Sequence, residues 1–342
     1  MRARPSPLVI GHRGACGYRP EHTRAAYELA FALGADAVEP DIVATRDGVL
    51  VLRHENEVSG TTDVAERAEF ADRRTTKLID GMELTGWFTE DFSWAELSTL
   101  RARERLPLLR QPSSSFDGMY PLLRLADLVE IVDRASEDAA RLLGLVAEIK
   151  HATYFESIGL PLDELVMDEL ARLGWSDSPA LTVESFERTV LGQLYRRGFR
   201  GKRIYLLEAD GAPADRVAAH GSAASGYADD VTEIGLYSLG AVEAAHRVDG
   251  VSVDASMLLA LDDEGNATGA SDLVDDAHAA GLEVCAWTLR PENAFLATNF
   301  RRGDSESDFG DWRGQFGLVM RTGVDAVFAD HPDLAVAVRD GL

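Results

Sequence analysis

The 342-residue chain alternates between short apolar runs and longer stretches in which apolar residues recur three or four positions apart. The short runs predict buried strands, and the longer stretches predict amphipathic helices. Eight strands that are each followed by a helical region end near Gly14, Asp41, Lys150, Phe186, Glu208, Asp254, Thr288 and Ala329. Regular strand–helix alternation indicates a parallel sheet, and eight such units favour a closed (β/α)8 TIM barrel. A doubly wound open sheet is the alternative, although no glycine-rich dinucleotide motif follows the first strand.

The helical stretches are bounded by glycines and by changes in periodicity. Helices are predicted over Thr23–Gly34, Leu125–Ala135, Leu162–Leu173, Glu187–Arg197, Ser271–Ala280 and Gln315–Thr322. A less regular region predicts a further helix somewhere within Ser238–His246.

A hairpin is predicted directly after the second barrel strand, Ala37–Ala44. Asp47-Gly48 is typical of a tight turn, and Val49–His54 then returns as a strand. Side chains two positions apart share one face of a strand, so Glu39 and Asp41 should lie on the same side. The hairpin would also place His54 nearly opposite Glu39.

Residues 56–119 are more polar than the flanking segments and contain several turn signals. A connection of this length inside a compact domain is usually functional or forms a unit of its own. We expect an insertion subdomain within a single catalytic domain that spans residues 1–342. Ser93 and Glu96 form a capping-box pattern that predicts a helix start inside the insertion.

The charge of the chain limits its partners. It has 58 acidic and 34 basic residues, a formal net charge of -24, and only Lys77, Lys150 and Lys202 are lysines. A surface this acidic repels nucleic acid and anionic membranes, so a phosphate-bearing substrate would need a locally cationic or metal-containing pocket. No apolar run reaches the length of a membrane span or of a signal peptide, so we expect no stable membrane association. We expect a cytoplasmic protein, or a secreted one if a leader has been removed; nothing in the pattern indicates an oligomeric state.

Two cysteines, Cys16 and Cys285, have no metal-type spacing. They are expected to be small buried residues, with a disulfide as the alternative.

Two histidines, His12 and His54, stand near the ends of predicted strands beside carboxylates. Imidazole titrates near neutrality, so a pair can remove one proton and deliver another. Either histidine alone would be more typical of a structural residue. Their shared position at the carboxyl ends of barrel strands, where barrel active sites lie, favours acid/base catalysis.

Glu39, Asp41 and Glu148 form an all-oxygen set of candidate metal ligands. Three carboxylates at one barrel mouth would repel each other unless a hard cation joined them, and oxygen ligands favour Ca²⁺ or Mg²⁺. The alternative is a set of solvated acids at strand ends. Glu148 weakens that alternative because it lies within an apolar strand, where an unpaired charge is costly.

Three further residues are candidates for substrate binding. Arg13 and Lys150 are cations beside these acids and would suit phosphate contact, with simple salt bridges as an equally good interpretation. Trp287 would line a substrate pocket or, equally, pack in the barrel core. Together with the histidines and carboxylates, these residues suit metal-assisted phosphoryl transfer.

The motifs resemble those of the glycerophosphodiester phosphodiesterases, over nearly the whole chain and in the same order. They are HRG at His12–Gly14, PEHT at Pro20–Thr23, Glu39–Asp41, RDG at Arg46–Gly48, His54–Glu55, EIK at Glu148–Lys150, ESF at Glu184–Phe186, WTLRPEN at Trp287–Asn293 and FADHPD at Phe328–Asp333. The resemblance implies a TIM barrel with an insertion at residues 56–119. It also implies His12 and His54 as the acid/base pair, one divalent cation on Glu39, Asp41 and Glu148, and Arg13 and Lys150 at the phosphate. The implied reaction is hydrolysis of small-molecule glycerophosphodiesters to sn-glycerol 3-phosphate and an alcohol.

Two departures from the common motifs accompany this resemblance. Many members have PENT where this chain has PEHT, so His22 replaces an asparagine. Many also have HD where this chain has His54-Glu55. The second departure resembles a long-form branch shared by bacterial and plant members. We expect little effect from His22, because it starts a helix and is not itself a proposed ligand. A phospholipase acting on lipids and a weakly catalytic phosphodiester-binding protein remain the alternatives.

Overall fold

A computed structural model describes residues 6–241 and 247–342 of the chain. The strands are β1 Leu8–His12, β2 Ala37–Glu39, β3 Asp41–Ala44, β4 Leu50–Leu52, β5 Thr75–Ile79, β6 Met82–Gly86, β7 Gly144–Ile149, β8 Leu181–Ser185, β9 Lys202–Leu207, β10 Gly250–Asp254, β11 Leu259–Leu261, β12 Ala267–Ala270, β13 Glu283–Leu289 and β14 Ala326–Ala329. The α-helices are α1 Arg24–Ala32, α2 Trp94–Leu97, α3 Gln111–Ser114, α4 Leu125–Ala139, α5 Ala152–Ser157, α6 Leu162–Leu173, α7 Arg188–Arg196, α8 Ala214–His220, α9 Tyr227–Asp230, α10 Glu233–Ala241, α11 Leu273–Ala279, α12 Trp312–Arg321 and α13 Pro332–Arg339. Short 3₁₀ helices occur at Val64–Glu66, Ala68–Arg73, Thr89–Asp91, Gly221–Ala223, Ala255–Leu258, Asn293–Phe295 and Thr298–Phe300.

The parallel strands close into a barrel. Going round it, β1 is followed by β14, β13, β10, β9, β8 and β7, and β7 pairs with β2, which pairs again with β1. The second barrel position is filled by β2 and β3 together, which are separated at Pro40, a residue with no N–H to donate to a sheet. The prediction of an eight-stranded TIM barrel is confirmed, and the open-sheet alternative is wrong.

The predicted hairpin after the second barrel position is also present. β3 and β4 pair antiparallel, with Ala44 opposite Leu50 and Ile42 opposite Leu52. Gly48 adopts a positive φ of 75° in the turn between them, which explains why glycine stands there. The pairing continues with a hydrogen bond from the Arg53 N–H to the Asp41 carbonyl, which brings His54 back towards the second barrel position.

Most helix predictions agree with the structure to within a few residues, and α6 has the predicted bounds. The helix predicted within Ser238–His246 overlaps α10, which begins earlier, at Glu233, and is described as far as Ala241. Residues 242–246 lie outside the described part of the chain. The sequence lacks a clear periodic signal for α10, because small and apolar residues occur on all sides of this helix and form no apolar stripe.

Residues 56–119 contain the β5–β6 hairpin and the short helices α2 and α3. Ser93 caps α2 with the predicted capping box to Glu96. Val64, Phe92 and Leu97 of this segment belong to the same buried hydrophobic cluster as the barrel helices. The segment therefore packs onto the barrel through a shared core, and its status as a separate subdomain stays a prediction.

Cys16 and Cys285 are both buried and free, so the disulfide alternative is wrong. None of the helices in the described ranges combines the length and apolarity needed to cross a membrane.

Candidate active site

Strand register brings the predicted site residues together at the carboxyl ends of the barrel strands. His12 at the end of β1 lies beside Glu39 of β2, and Asp41 of β3 lies beside Glu148 of β7. Glu148 in turn lies beside Glu184 of β8. Four neighbouring barrel positions thus supply the centre of the site.

The three-carboxylate cluster consists of Glu39, Asp41 and Glu148, which each offer an oxygen within 4.8 Å of the others. All three residues are buried, and Glu39 Oε1 and Asp41 Oδ1 have no hydrogen-bond partner among the described residues. Burial raises the pKa of Glu39 and of Glu148 well above the usual carboxyl value. Burial acts in the same direction on Asp41, but Arg13, His54, Lys150 and the hydrogen bond from His22 together outweigh it and hold the pKa of that carboxyl low. Buried, unpartnered oxygens at this spacing fit a hard divalent cation.

The turn after β1 explains the His-Arg-Gly sequence. Arg13 has a positive φ of 54°, and Gly14 follows with a φ of 88°. A Cβ on Gly14 would lie 2.6 Å from the Ala26 carbonyl carbon, so only glycine allows α1 to approach the turn this closely. The turned backbone directs the Arg13 N–H to Glu39 Oε2 at 2.9 Å, which orients one carboxylate of the cluster.

His12 is held by a carboxylate from the last barrel strand. Its Nδ1 lies 2.6 Å from Asp330 Oδ1. Arg290 and Arg110 keep the pKa of Asp330 low against the effect of burial, so this carboxylate can only accept a hydrogen bond. His12 therefore carries its proton on Nδ1 and presents Nε2 for proton transfer. Burial, and next the charge of Arg13, lower the pKa of His12 to about 4, which leaves the imidazole neutral at pH 7.

His54 has the same arrangement with a different partner. Its Nδ1 hydrogen-bonds Glu55 Oε1, and Lys150 Nζ lies 3.2 Å from its Nε2. Contacts with His54 and Arg105 outweigh burial and hold the pKa of Glu55 below its usual value, so Glu55 is an acceptor as well. Burial, followed by Arg13 and Lys150, lowers the pKa of His54 to about 3. Both histidines are thus neutral bases at neutral pH.

The predicted phosphate-binding cations line the same cavity and are also paired with acids. Arg13 Nη1 lies 3.2 Å from Glu21, and its Nε lies 3.1 Å from Asp41. Lys150 Nζ lies 2.8 Å from Glu148 and 3.7 Å from Asp41. The salt-bridge interpretation is therefore present in the structure, and phosphate contact stays a prediction.

A cavity of about 660 Å³ opens above the site. Trp287 is half-buried at its wall and packs edge-to-face on Phe186, with 5.9 Å between ring centroids. The Trp287 ring also packs against a small cluster inside the barrel, so it contributes to both the cavity and the core. The tip of the β5–β6 hairpin reaches the cavity through Asp80 and Met82.

Two important residues are not recognised from the sequence. His22, expected to have little effect, is fully buried, and its Nε2 lies 2.9 Å from Asp41 Oδ2. Its backbone has a positive φ of 56°, and whether His22 affects the activity stays a prediction. Glu184 is buried beside Glu148 and lines the cavity, and burial raises its pKa well above the usual value. Its place at a strand end is a visible signal, but its orientation is not.

Residues of the insertion complete the surroundings of the histidines. Arg105 contacts Glu55, and Arg110 contacts Asp330. His12, Cys16 and Asp330 also have possible metal-ligand atoms within 4.8 Å of one another. Because two guanidinium groups already lie within 3 Å of Asp330, that group is poorly suited to a cation.

Comparison with known proteins gives a consistent result. Residues 12–334 match the model of the glycerophosphoryl diester phosphodiesterase family. The chain is 29% identical over 338 residues to a glycerophosphodiester phosphodiesterase of Arabidopsis thaliana, which covers 95% of this chain and 83% of that protein. It is 26% identical over 343 residues to a glycerophosphodiester phosphodiesterase of Treponema pallidum, covering 96% and 90% of the two chains.

Solved structures share the fold. A putative glycerophosphoryl diester phosphodiesterase from Silicibacter pomeroyi superposes with a TM-score of 0.66 at 20% identity, covering 98% of this chain and 94% of that one. A phosphodiesterase from Oleispira antarctica, solved in complex with the product sn-glycerol-3-phosphate, superposes with a TM-score of 0.59 at 21% identity, covering 98% and 97%.

Proposed function

The chain belongs to the glycerophosphoryl diester phosphodiesterase family, and from this premise we propose that it hydrolyses soluble glycerophosphodiesters to sn-glycerol 3-phosphate and an alcohol in a metal-dependent reaction. The protein is a phosphodiesterase by its family; the metal and the residue roles are our proposal. The observation that carries it is the placement of two neutral imidazoles around the three-carboxylate cluster in one cavity.

Glu39, Asp41 and Glu148 would hold one divalent cation, Ca²⁺ or Mg²⁺. Glu39 Oε1 and Asp41 Oδ1, which are buried without a hydrogen-bond partner among the described residues, support this role, because a buried carboxylate oxygen without a partner is costly. When bound, the cation would balance the carboxylates and stabilise negative charge on the phosphate oxygens.

His12 and His54 would move the protons. One imidazole accepts a proton at Nε2 from the attacking hydroxyl as its oxygen bonds to phosphorus. The bond between phosphorus and the leaving alcohol oxygen breaks, and the alcohol takes its proton from the other histidine. That histidine must enter this step as the imidazolium, a form that the negative phosphate would favour once it is bound. The attacking hydroxyl is that of water, or first the neighbouring hydroxyl of the glycerol, with water opening the cyclic phosphate afterwards. The Nδ1 contacts with Asp330 and Glu55 support these roles, because they leave Nε2 for the exchange.

Arg13 and Lys150 would contact the phosphate from their places beside the cluster. Both lie close to cluster carboxylates, at 3.1 Å for Arg13 and 2.8 Å for Lys150. Charges held in a buried site by such pairing are fixed before the substrate arrives, which is the arrangement that stabilises developing negative charge.

The alcohol of the substrate would occupy the opposite half of the cavity. This half is formed at the ends of β8, β9 and β10 and includes the rings of Phe186 and Tyr227, whose centroids are 6.2 Å apart. Glu208 and Asp254 also line the cavity, and Lys150 Nζ lies 5.4 Å from the centroid of the Phe186 ring. Trp287 closes the wall beside Phe186.

A panel of glycerophosphodiesters tests the proposed activity. Release of glycerol 3-phosphate should require a divalent cation, stop after thorough chelation, and return when Ca²⁺ or Mg²⁺ is added. Glu39→Gln should lose this response, whereas Glu137→Gln should keep it, since Glu137 is exposed on α4 near its end at the opposite face of the barrel. Undiminished activity after chelation would remove the metal from the account, and hydrolysis of lipid vesicles in place of soluble diesters would indicate the phospholipase alternative.

A further inference from the structure

Two arginines of the insertion, Arg105 and Arg110, lie five positions apart and reach the two histidines through carboxylates. We infer that this arginine pair positions both acid/base histidines, so that one short segment of the insertion controls the geometry of catalysis. The inference rests on the proposed roles of His12 and His54.

The first arm runs from Arg105 through Glu55 to His54. Arg105 donates from Nη1 and Nη2 to the two oxygens of Glu55, at 3.0 and 2.8 Å. The same guanidinium contacts both oxygens of Glu21, each at 2.7 Å. A two-point contact of this kind fixes the plane of a carboxylate. Glu55, once fixed, accepts the hydrogen bond from His54 Nδ1.

The second arm runs from Arg110 through Asp330 to His12. Arg110 Nη2 lies 2.6 Å from Asp330 Oδ2, and its Nε lies 2.7 Å from Glu292. The Arg110 side chain is only 5% exposed. Asp330 uses its other oxygen for His12, while Arg290 contacts Oδ2 at 2.8 Å. Both arginines therefore contact Oδ2 of Asp330, and Oδ1 accepts the hydrogen bond from His12 Nδ1.

The arms share a chemical consequence. A fixed, ionised carboxylate accepts only from N–H, so each histidine is kept in the Nδ1–H tautomer with Nε2 unprotonated. His54 Nε2 accepts a hydrogen bond from Lys150 Nζ at 3.2 Å. The residues that line the main cavity in the described parts of the chain include both histidines but neither Arg105 nor Arg110. Both arginines line a smaller cavity with His12 and Arg13. They contact the carboxylates and not the imidazoles, so we assign them as positioning residues.

A merely structural role would also be plausible for buried ion pairs between an insertion and its barrel. The two roles differ in selectivity. If an ion pair only holds the insertion on the barrel, its removal loosens the whole insertion, and the tautomers of both histidines change together or not at all. A positioning arginine affects the histidine at the end of its own arm.

The test uses the full-length protein and three variants. Arg105→Met removes the first arm. Arg110→Lys keeps a positive charge beside Glu292 and Asp330 but loses the planar two-direction contact, and it avoids leaving two buried acids without a cation. Arg103→Met is the matched control: Arg103 lies in the same segment and pairs with Glu66, away from both histidines.

The primary readout is the ¹⁵N chemical shift of the imidazole nitrogens, which reports the tautomer without any substrate or metal. Arg105→Met should change the His54 signals and leave those of His12, Arg110→Lys should do the reverse, and Arg103→Met should change neither. With a diester that the wild-type protein hydrolyses, kcat should fall by about tenfold to a hundredfold in both arm variants while KM changes little. The variants lose the orientation of a histidine but keep the contacts that bind the substrate.

Unchanged imidazole signals in a folded Arg105→Met protein would overturn the inference, as would joint changes at both histidines in every variant. Tautomer changes accompanied by a wild-type kcat would overturn it too, because positioning would then have no catalytic consequence. If the wild-type protein hydrolyses no glycerophosphodiester, the proposed function fails. The imidazole ¹⁵N spectra need no substrate, so they still test whether each arginine positions its histidine.

Discussion

Glu187 offers a quantitative test of the electrostatics around the cavity. It lies just beyond β8, is 3% exposed, and its Oε2 accepts hydrogen bonds from the Thr153 N–H at 2.9 Å and from the Thr153 hydroxyl. Burial raises its pKa from 4.5 to about 7, more than the Thr153 contacts lower it. The carboxyl therefore keeps its proton in the folded protein at pH values where the unfolded chain has lost it.

The sign of the effect on stability follows from this difference. Below pH 4.5 the group is protonated in both states, and its favourable contribution to folding is complete. Between pH 4.5 and about 7 the unfolded chain has lost the proton that the folded protein keeps, so the free energy of unfolding falls as the pH rises across this range. A pKa difference of this size corresponds to about 3 kcal/mol at most. Above that pH the loss is complete and constant.

The substitution Glu187→Gln should remove this loss, because an amide oxygen can replace Oε2 as acceptor and carries no charge. Urea unfolding of both proteins from pH 4.5 to pH 8 should show nearly equal stability at the acid end and a growing advantage for Glu187→Gln towards pH 8. The exposed Glu137→Gln variant should follow the wild type throughout. A constant difference between Glu187→Gln and wild type across this range would refute the reasoning, and so would an advantage that grows towards low pH.

Three other predictions follow from the site. Addition of Ca²⁺ or Mg²⁺ should raise the melting temperature, with a linkage of about 2.7 kcal/mol at a hundred times the Kd; Glu39→Gln should abolish this gain, and an equal gain in that variant would exclude Glu39 as a ligand. Tyr27→Phe should destabilise the protein by about 1–3 kcal/mol in urea unfolding, because the hydroxyl 2.7 Å from His22 Nδ1 is lost in a fully buried place; an unchanged midpoint would argue against that contact. Diesters whose alcohol carries an ammonium group should have a kcat/KM about tenfold higher than those with an anionic alcohol, because the far half of the cavity has acidic and aromatic walls; equal values would show that these walls do not contact the alcohol.

The barrel could be predicted from the sequence because each strand and helix carries its own local pattern. α6 has the predicted bounds, β10 ends at the predicted Asp254, and the alternation of side chains along a strand correctly places Glu39 and Asp41 on one side. Asp47-Gly48 predicts the hairpin for the same reason, since turn geometry depends on a few neighbouring residues.

The surroundings of the histidines could not be predicted in this way. His12 and Asp330 are separated by 318 positions, and Arg110 and Asp330 by 220. No local pattern records which arginine meets which carboxylate, because that depends on how the insertion packs on the barrel. His22 shows the same limit on a shorter scale: its sequence position indicates a helix start, but the backbone turn that directs it to Asp41 is visible only in the structure.

The central claim is that His12 and His54 transfer protons for a metal-assisted hydrolysis, and its most direct test is single-turnover release of glycerol 3-phosphate with saturating cation. His12→Asn and His54→Asn should each lower the rate by about a hundredfold or more, while His220→Asn, at the exposed end of α8, should match the wild type. A wild-type rate in a folded His12→Asn or His54→Asn protein would contradict the account.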